Sequence, residues 1–197
     1  MVISFNLHTT GVILKRAVLP VGTALLLFLF ALRPLQATTY VTQQEYLSSA
    51  FSAVPINAGV VWLRGEVRQQ VEQILGHRYP ALRIRYWQTD NDPLRPGSGR
   101  VWILEEIGKE LPITAGFLVN RGRIENAEVL AFRESRGWEI RLPAFKKQFE
   151  GQQLTPKKRL TGTVDGISGA TLSVSAMKRM ARLALYLDQH VETSQQQ

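Results

Sequence analysis

Alternation and helical periodicity outline most of the chain. Thr42-x-x-Glu45 is a capping box and opens a helix that runs to about Phe51. Pro55 and Gly59 break the chain after it. From Gly65, Val67, Val71, Ile74 and Leu75 recur at helical spacing, and Gly76 is a natural stop. Leu82, Ile84 and Tyr86 alternate with Arg83 and Arg85, as in a half-buried strand. A loop rich in Asn, Asp, Pro and Gly spans Thr89 to Gly99. Strand patterns resume over Arg100–Ile107 and Ile113–Val119. Asn120-Arg121-Gly122 then turns the chain into another strand over Arg123–Phe132. Pro143 starts a short helix through Phe149, closed by Gly151, and a polar, basic segment follows from Gln152 to Thr161. The last helix carries Val174, Met177, Ala181, Ala184 and Leu185 on one face, with Asp188 at its limit. Residues 192–197 are a polar tail, expected to be disordered. Strands mixed with short helices and no internal repeat predict an α+β fold: one domain, a mixed or antiparallel sheet, short helices at its flanks.

The N-terminus follows a different rule. Lys15 and Arg16 precede sixteen uncharged residues, Ala17 to Leu32. A basic flank, a short apolar run and then small residues describe an export signal, with a cleavage point after Ala37. The run is shorter than the roughly twenty residues of a spanning helix and contains Pro20 and Gly22. Residues 1–37 are therefore a signal peptide or a membrane anchor. Either way the rest is expected outside the cytoplasm, because the positive flank stays inside. That places the protein in the periplasm or beyond, with attachment to the inner membrane as the alternative. The remainder divides into a helical and strand part over 38–98, a domain over 99–191 and the tail.

Composition excludes more than it selects. With 197 residues there is room for one domain with a real core. The absence of Cys removes thiolate catalysis, iron–sulfur clusters and disulfides. His8, His77 and His190 are scattered at non-ligand spacing. The net charge of +8 falls to +5 without Lys15, Arg16 and Arg33. That modest excess suits a solvated surface, an anionic membrane or an acidic redox partner, and no nucleic-acid module accompanies it. Glu105-Glu106 and Lys109-Glu110 read as a solvated strand end and turn. Trp62, Trp87 and Trp102 read as core.

The chemistry concentrates just before the last helix, in Asp165-Gly166-Ile167-Ser168-Gly169-Ala170-Thr171. The Thr171 hydroxyl lies at or beside that helix's N-terminus, where free N–H groups and the helix dipole favour a phosphate. Gly169 and Ala170 are small and leave the hydroxyl open. Taken alone, a Thr there is an N-cap and Gly-Ala is tight packing.

With Leu172 and Ser173 appended, the stretch DGISGATLS resembles the S/T-G-A-T signature of FMN-binding domains, in which the last Thr carries FMN through a phosphodiester. A second stretch supports the resemblance. Arg133-Glu134-Ser135-Arg136-Gly137-Trp138 is similar to the family's E-T-P-G-L-G loop. Glu134 matches the Glu, Ser135 the Thr and Gly137 the first Gly. Arg136 and Trp138 depart from the pattern, at its Pro and Leu. The likeness covers roughly residues 100–190 and is to the FMN domains of the C subunit of the sodium-pumping NADH:quinone oxidoreductase and the G subunit of the Rnf complex.

The resemblance implies covalent FMN on Thr171, with Asp165, Gly166, Ser168, Gly169, Ala170, Leu172 and Ser173 around it. It further implies Arg133, Glu134, Ser135, Gly137 and Trp138 near the ring, where Trp138 would stack and Arg133 or Arg136 would face phosphate or the N1/O2 edge. The implied partners are an FAD:protein FMN transferase and a membrane-bound redox partner. The implied role is an exported electron carrier rather than a stand-alone enzyme. A flavin-dependent reductase and a non-redox exported binding module are the alternatives. No G-x-G-x-x-G follows a strand, so a nicotinamide is not the direct donor.

Overall fold

The computed structural model describes residues 38–51, 56–89 and 99–195. The apolar N-terminal run lies outside them, as do the last two residues. Among the described residues no helix is long and apolar enough to cross a membrane.

Six strands form one sheet: β1 Thr38–Thr39, β2 Asn57–Trp62, β3 Arg83–Gln88, β4 Arg100–Ile107, β5 Pro112–Asn120 and β6 Arg123–Phe132. Their order is β1-β6-β5-β4-β3-β2, and every neighbouring pair is antiparallel. The helices among the described residues are α1 Gln43–Phe51, α2 Gly65–Leu75, α3 Pro143–Lys147 and α4 Thr171–Gln195. A 3₁₀ turn over Trp138–Arg141 precedes α3. The α+β class read from the sequence is the observed one, with an antiparallel sheet.

Strand alternation sorts the side chains onto two faces. On one, Trp102 and Leu104 of β4 and Phe117 of β5 are buried against Met177, Met180, Ala181, Ala184 and Leu187 of α4. Each large side chain buried this way contributes about 1.5–3 kcal/mol, so α4 is held mainly by its apolar stripe. On the other face Tyr46, Leu47 and Phe51 of α1 cover Val101, Leu118 and Leu130. The capping box forms as read: Thr42 N–H donates to Glu45 Oε2 at 2.7 Å and Glu45 N–H to Thr42 Oγ1 at 3.2 Å.

Several expectations change. Gly59 does not break the chain; β2 runs through it, because Gly59 lies opposite Tyr86 and a Cβ there would collide with the Tyr86 ring. The short helix after Pro143 stops at Lys147. The polar end of the chain is helical to Gln195: Arg100 donates to Gln195 Oε1 at 3.0 Å and lies 3.6 Å from Glu192. Trp102 is fully buried, but Trp62 is 49% exposed, with Arg64 and Arg83 over its ring. Glu106 is not solvated. It shares the inward register of Trp102 and Leu104, is buried, and takes His77 Nε2 at 3.0 Å and Arg179 Nη2 at 2.9 Å.

Asp188 passes beyond the limit of an apolar face into the core. It is wholly buried and accepts from Arg100 Nη1 at 3.1 Å. Burial raises its pKa more than Arg100 lowers it, to about 6.

Candidate functional site

The site forms where three turns meet the start of α4. The approach to the helix is pinned from behind, where Asp165 N–H donates to Gln148 Oε1 at 2.7 Å and Gly162 N–H to Gln152 Oε1 at 2.7 Å. The chain then makes a tight turn, closed by Ala170 N–H on Ile167 O at 3.0 Å. Gly169 sits in it at φ 79°, a conformation that glycine adopts without strain. This turn delivers Thr171 to the first helical position with its side chain exposed.

The helix begins without a side-chain cap. Ala170 is the capping residue, and it has no side-chain oxygen to offer. Its carbonyl accepts from Val174 N–H at 2.9 Å. Among the described residues no acceptor meets the N–H groups of Thr171, Leu172 and Ser173, and the Thr171 hydroxyl makes no hydrogen bond. Three unsatisfied donors and the positive end of a 25-residue helix dipole therefore lie beside a free hydroxyl.

Next to it the loop after β6 docks directly on α4. Gly137 has φ 90°, and a Cβ there would fall 2.6 Å from Ser173 Oγ and 3.4 Å from the Ala170 methyl. Only a residue without a side chain allows that approach, so the two stretches singled out in the sequence are in contact. The third turn, 108–111, joins β4 to β5 and is held by Glu134. One carboxylate oxygen accepts from the backbone N–H of Lys109, Glu110 and Leu111 at 2.6, 2.7 and 2.9 Å. Burial raises the Glu134 pKa, but those three bonds and the Lys109 charge outweigh it, and the net shift is downward.

Together the turns enclose a cleft of about 610 Å³, lined by Lys109, Glu110, Glu134, Ser135, Arg136 and residues 169–173. That lies within the range of about 300–1,000 Å³ usual for small-molecule sites. Thr171, Gly169, Ala170, Leu172, Ser173, Glu134 and Ser135 thus meet as the sequence suggested. Gly137 supports the wall from behind. Arg133 is turned away: its Nη1 donates to Pro112 O at 2.9 Å and Thr114 Oγ1 at 3.0 Å, and lies 3.2 Å from Glu105. Trp138 is 51% exposed and outside the lining, neither core nor cleft wall. Asp165, Gly166 and Ser168 shape the approach without lining the cleft. Lys109 and Glu110 are the residues that sequence reasoning missed. As a polar turn between strands they carry no local signal, and only the pairing of Ile107 with Pro112 brings them beside Glu134.

An FMN phosphate fits this arrangement. The donors at the start of α4 are unspent, and small residues leave the hydroxyl accessible. Lys109 is paired with Glu110 at 3.1 Å, while Arg136 has no carboxylate within salt-bridge distance among the described residues.

Residues 108–186 match the family model for the FMN-binding domain. NqrC of Shewanella oneidensis is similar in structure, with TM-score 0.51 and 15% identity over 73% of this chain and 84% of that one. The C subunit of the Na(+)-translocating NADH-quinone reductase of Parabacteroides distasonis gives a TM-score of 0.46 and 20% identity over 67% of this chain and 76% of that one. No curated protein matches the chain. The first likeness shows a shared fold, and the family match spans all three turns of the cleft together with Thr171. Residues 108–186 are therefore similar to the FMN-binding domain family, and the whole cleft falls inside that match.

Proposed function

We propose that this protein is an exported electron carrier with FMN bonded to Thr171 through a phosphodiester. The observation that carries the proposal is the free Thr171 hydroxyl at an uncapped helix start, opening on a cleft of about 610 Å³. In the attachment step the bond that forms joins Thr171 Oγ to the FMN phosphorus of FAD. The bond that breaks is the FAD pyrophosphate linkage. AMP leaves and the hydroxyl proton is released. An FAD:protein FMN transferase performs this step; Thr171 is its acceptor, and Asp165, on the approach to the turn, helps present it.

Once bound, FMN supplies the redox chemistry, and the protein's own groups set its conditions. N–H groups of Thr171, Leu172 and Ser173 hold negative charge at the phosphate. Arg136, the lining cation not paired with a carboxylate among the described residues, favours the reduced, more negative cofactor, while Lys109 is offset by Glu110 at 3.1 Å. Glu134 keeps the 108–111 turn in place and so acts as a positioning residue. Export would separate the protein from cytoplasmic FMN, and a covalent link prevents loss of the cofactor there. The donor or acceptor is a membrane-bound partner.

Intact mass and peptide mapping of the full chain, co-expressed with a flavin transferase, test the proposal. The expected result is a gain of one FMN less one water on the peptide containing Thr171, together with loss of residues 1–37 if the signal is cleaved. A colourless chain of unchanged mass would leave an exported binding module, and FMN on Ser168 or Ser173 would move the attachment point.

A further inference from the structure

The positive charge of this protein is gathered beside the flavin site. Residues 38–197 carry the net +5, and residues 151–187 hold six cations (Lys157, Lys158, Arg159, Lys178, Arg179 and Arg182) against one acid, Asp165. The rest of that span is therefore neutral. Arg179 is paired with Glu106 at 2.9 Å. Among the described residues no carboxylate comes within salt-bridge distance of Arg159, Lys178 or Arg182. These three line a cleft of about 310 Å³ beside α4. Arg182 Nε donates to Lys158 O at 2.7 Å, which fixes the 157–159 loop against the helix. Burial first, then the charges of Arg159 and Arg179, lower the Arg182 pKa.

The direction of this surface matters as much as its charge. Lys178 and Arg182 follow Thr171 by seven and eleven residues. At about 100° and 1.5 Å per residue they lie within about 20° of the Thr171 direction, roughly 10 and 16 Å along the helix. Anything held there by its negative charge sits next to the flavin cleft, at about one to two screening lengths in physiological salt. The exposed large apolar residues (Ile56, Val60, Trp62, Leu82, Ile107, Trp138, Leu142 and Leu172) are absent from the lining of this basic cleft. A membrane-binding surface pairs cations with such residues. A concave surface whose only charged lining residues are the cations Arg159, Lys178 and Arg182 fits an acidic protein better.

We propose that the face of α4 beyond Thr171, with the 157–159 loop, is the docking surface for an acidic redox partner protein. The proposal rests on the reading of Thr171 as the flavin-bearing residue.

The test uses the full, flavin-loaded chain reduced anaerobically. Its reoxidation is followed with ferricyanide, an anion, and with hexaammineruthenium(III), a cation. Both take one electron, so each fully reduced flavin consumes two equivalents and releases its protons to solvent. Lys178→Glu/Arg182→Glu should slow ferricyanide about tenfold at low ionic strength and speed the cationic oxidant. Lys178→Gln/Arg182→Gln should give a smaller change of the same sign if the reversal misfolds. Arg83→Glu/Arg85→Glu on β3 makes the same change in net charge elsewhere and should leave the rates within about twofold. A short polyglutamate peptide should slow ferricyanide with the parent and not with the α4 variant.

Equal effects in the α4 and β3 variants, or no effect in either, would overturn the proposal. Slowing by phosphatidylglycerol vesicles but not by polyglutamate would overturn it in favour of a lipid surface. A chain that takes up no flavin would instead sink the reading beneath it, since no reoxidation could then be measured.

Discussion

The two ends of α4 are built on opposite principles, although one helix and one apolar stripe join them. At the N-terminal end Ala170 supplies no cap, three N–H groups are unspent, and the Thr171 hydroxyl is exposed and unbonded. At the far end Asp188 is buried on Arg100, which also reaches Gln195 at 3.0 Å, Gln88 at 3.2 Å and Glu192 at 3.6 Å. Hydroxyls of Thr193 and Ser194 bond back to Gln189 O and His190 O. One end leaves donors for a ligand. The other uses side chains to fix the helix to β4. A helix end without a cap loses about 1 kcal/mol relative to a capped one, a cost that the buried apolar stripe between the two ends can carry many times over.

Substitutions at the two ends should therefore separate cleanly. The largest effect is expected from Thr171→Ala. All covalent flavin should be lost by intact mass, while unfolding free energy changes by no more than about 0.5 kcal/mol, as for a surface site. A substantial loss of stability would mean that Thr171 is a structural cap and the contrast is false.

Asp188 sharpens the comparison from the other side. Its carboxyl keeps its proton to about pH 6 in the fold and titrates at 3.8 without it. The folded value is the higher, so its contribution is full below about pH 4 and is lost as pH rises through 6. At about 1.4 kcal/mol per pKa unit that loss is about 3 kcal/mol. Urea unfolding between pH 4 and 7 should show the decline in the parent and not in Asp188→Asn, with flavin loading the same in both. A slope that persists in the variant would assign the pH dependence to other groups.

Gly137→Ala ranks next. It puts a side chain at φ 90° against Ser173 and should cost about 1–3 kcal/mol. Because the loop would lift from α4, the melting temperature should fall as well. An unchanged melting temperature would show that the loop is free to move off the helix.

Glu134→Gln is the mildest, about 1 kcal/mol, because one acceptor oxygen remains for the 108–111 turn. Its pH effect runs opposite to that of Asp188. The Glu134 pKa is lowered below 4.5, so its contribution is present above that value and lost as pH falls through the folded one. Parallel acid titrations of parent and variant would reveal it, and coincident curves would remove Glu134 from the turn's support.

Legibility from sequence followed how local each signal was. The capping box of α1, the Arg121-Gly122 turn and the apolar stripe of α4 depend on residues within one or two turns of each other, and all three formed as read. The glycine at 59 was misjudged because its partner, Tyr86, lies 27 residues on and is adjacent only through strand pairing. Glu106 and Asp188 were placed too near solvent for a related reason. Charge suggests exposure, whereas their positions in the period of β4 and α4 point inward, and Arg179 and Arg100 arrive from other elements to make burial tolerable.

By itself the sequence determined the α+β class, the hairpins, the last helix and the likeness to an FMN-binding domain, since each rests on short-range periodicity or a contiguous motif. The tertiary structure alone decided what surrounds that residue. Docking of Gly137 on Ser173 and the grip of Glu134 on the 108–111 turn turned Arg133 and Trp138 away and brought Lys109 and Arg136 to the cleft. The reason is physical: which polar groups converge depends on strand register and on loop contacts between segments tens of residues apart, and no local pattern encodes those distances.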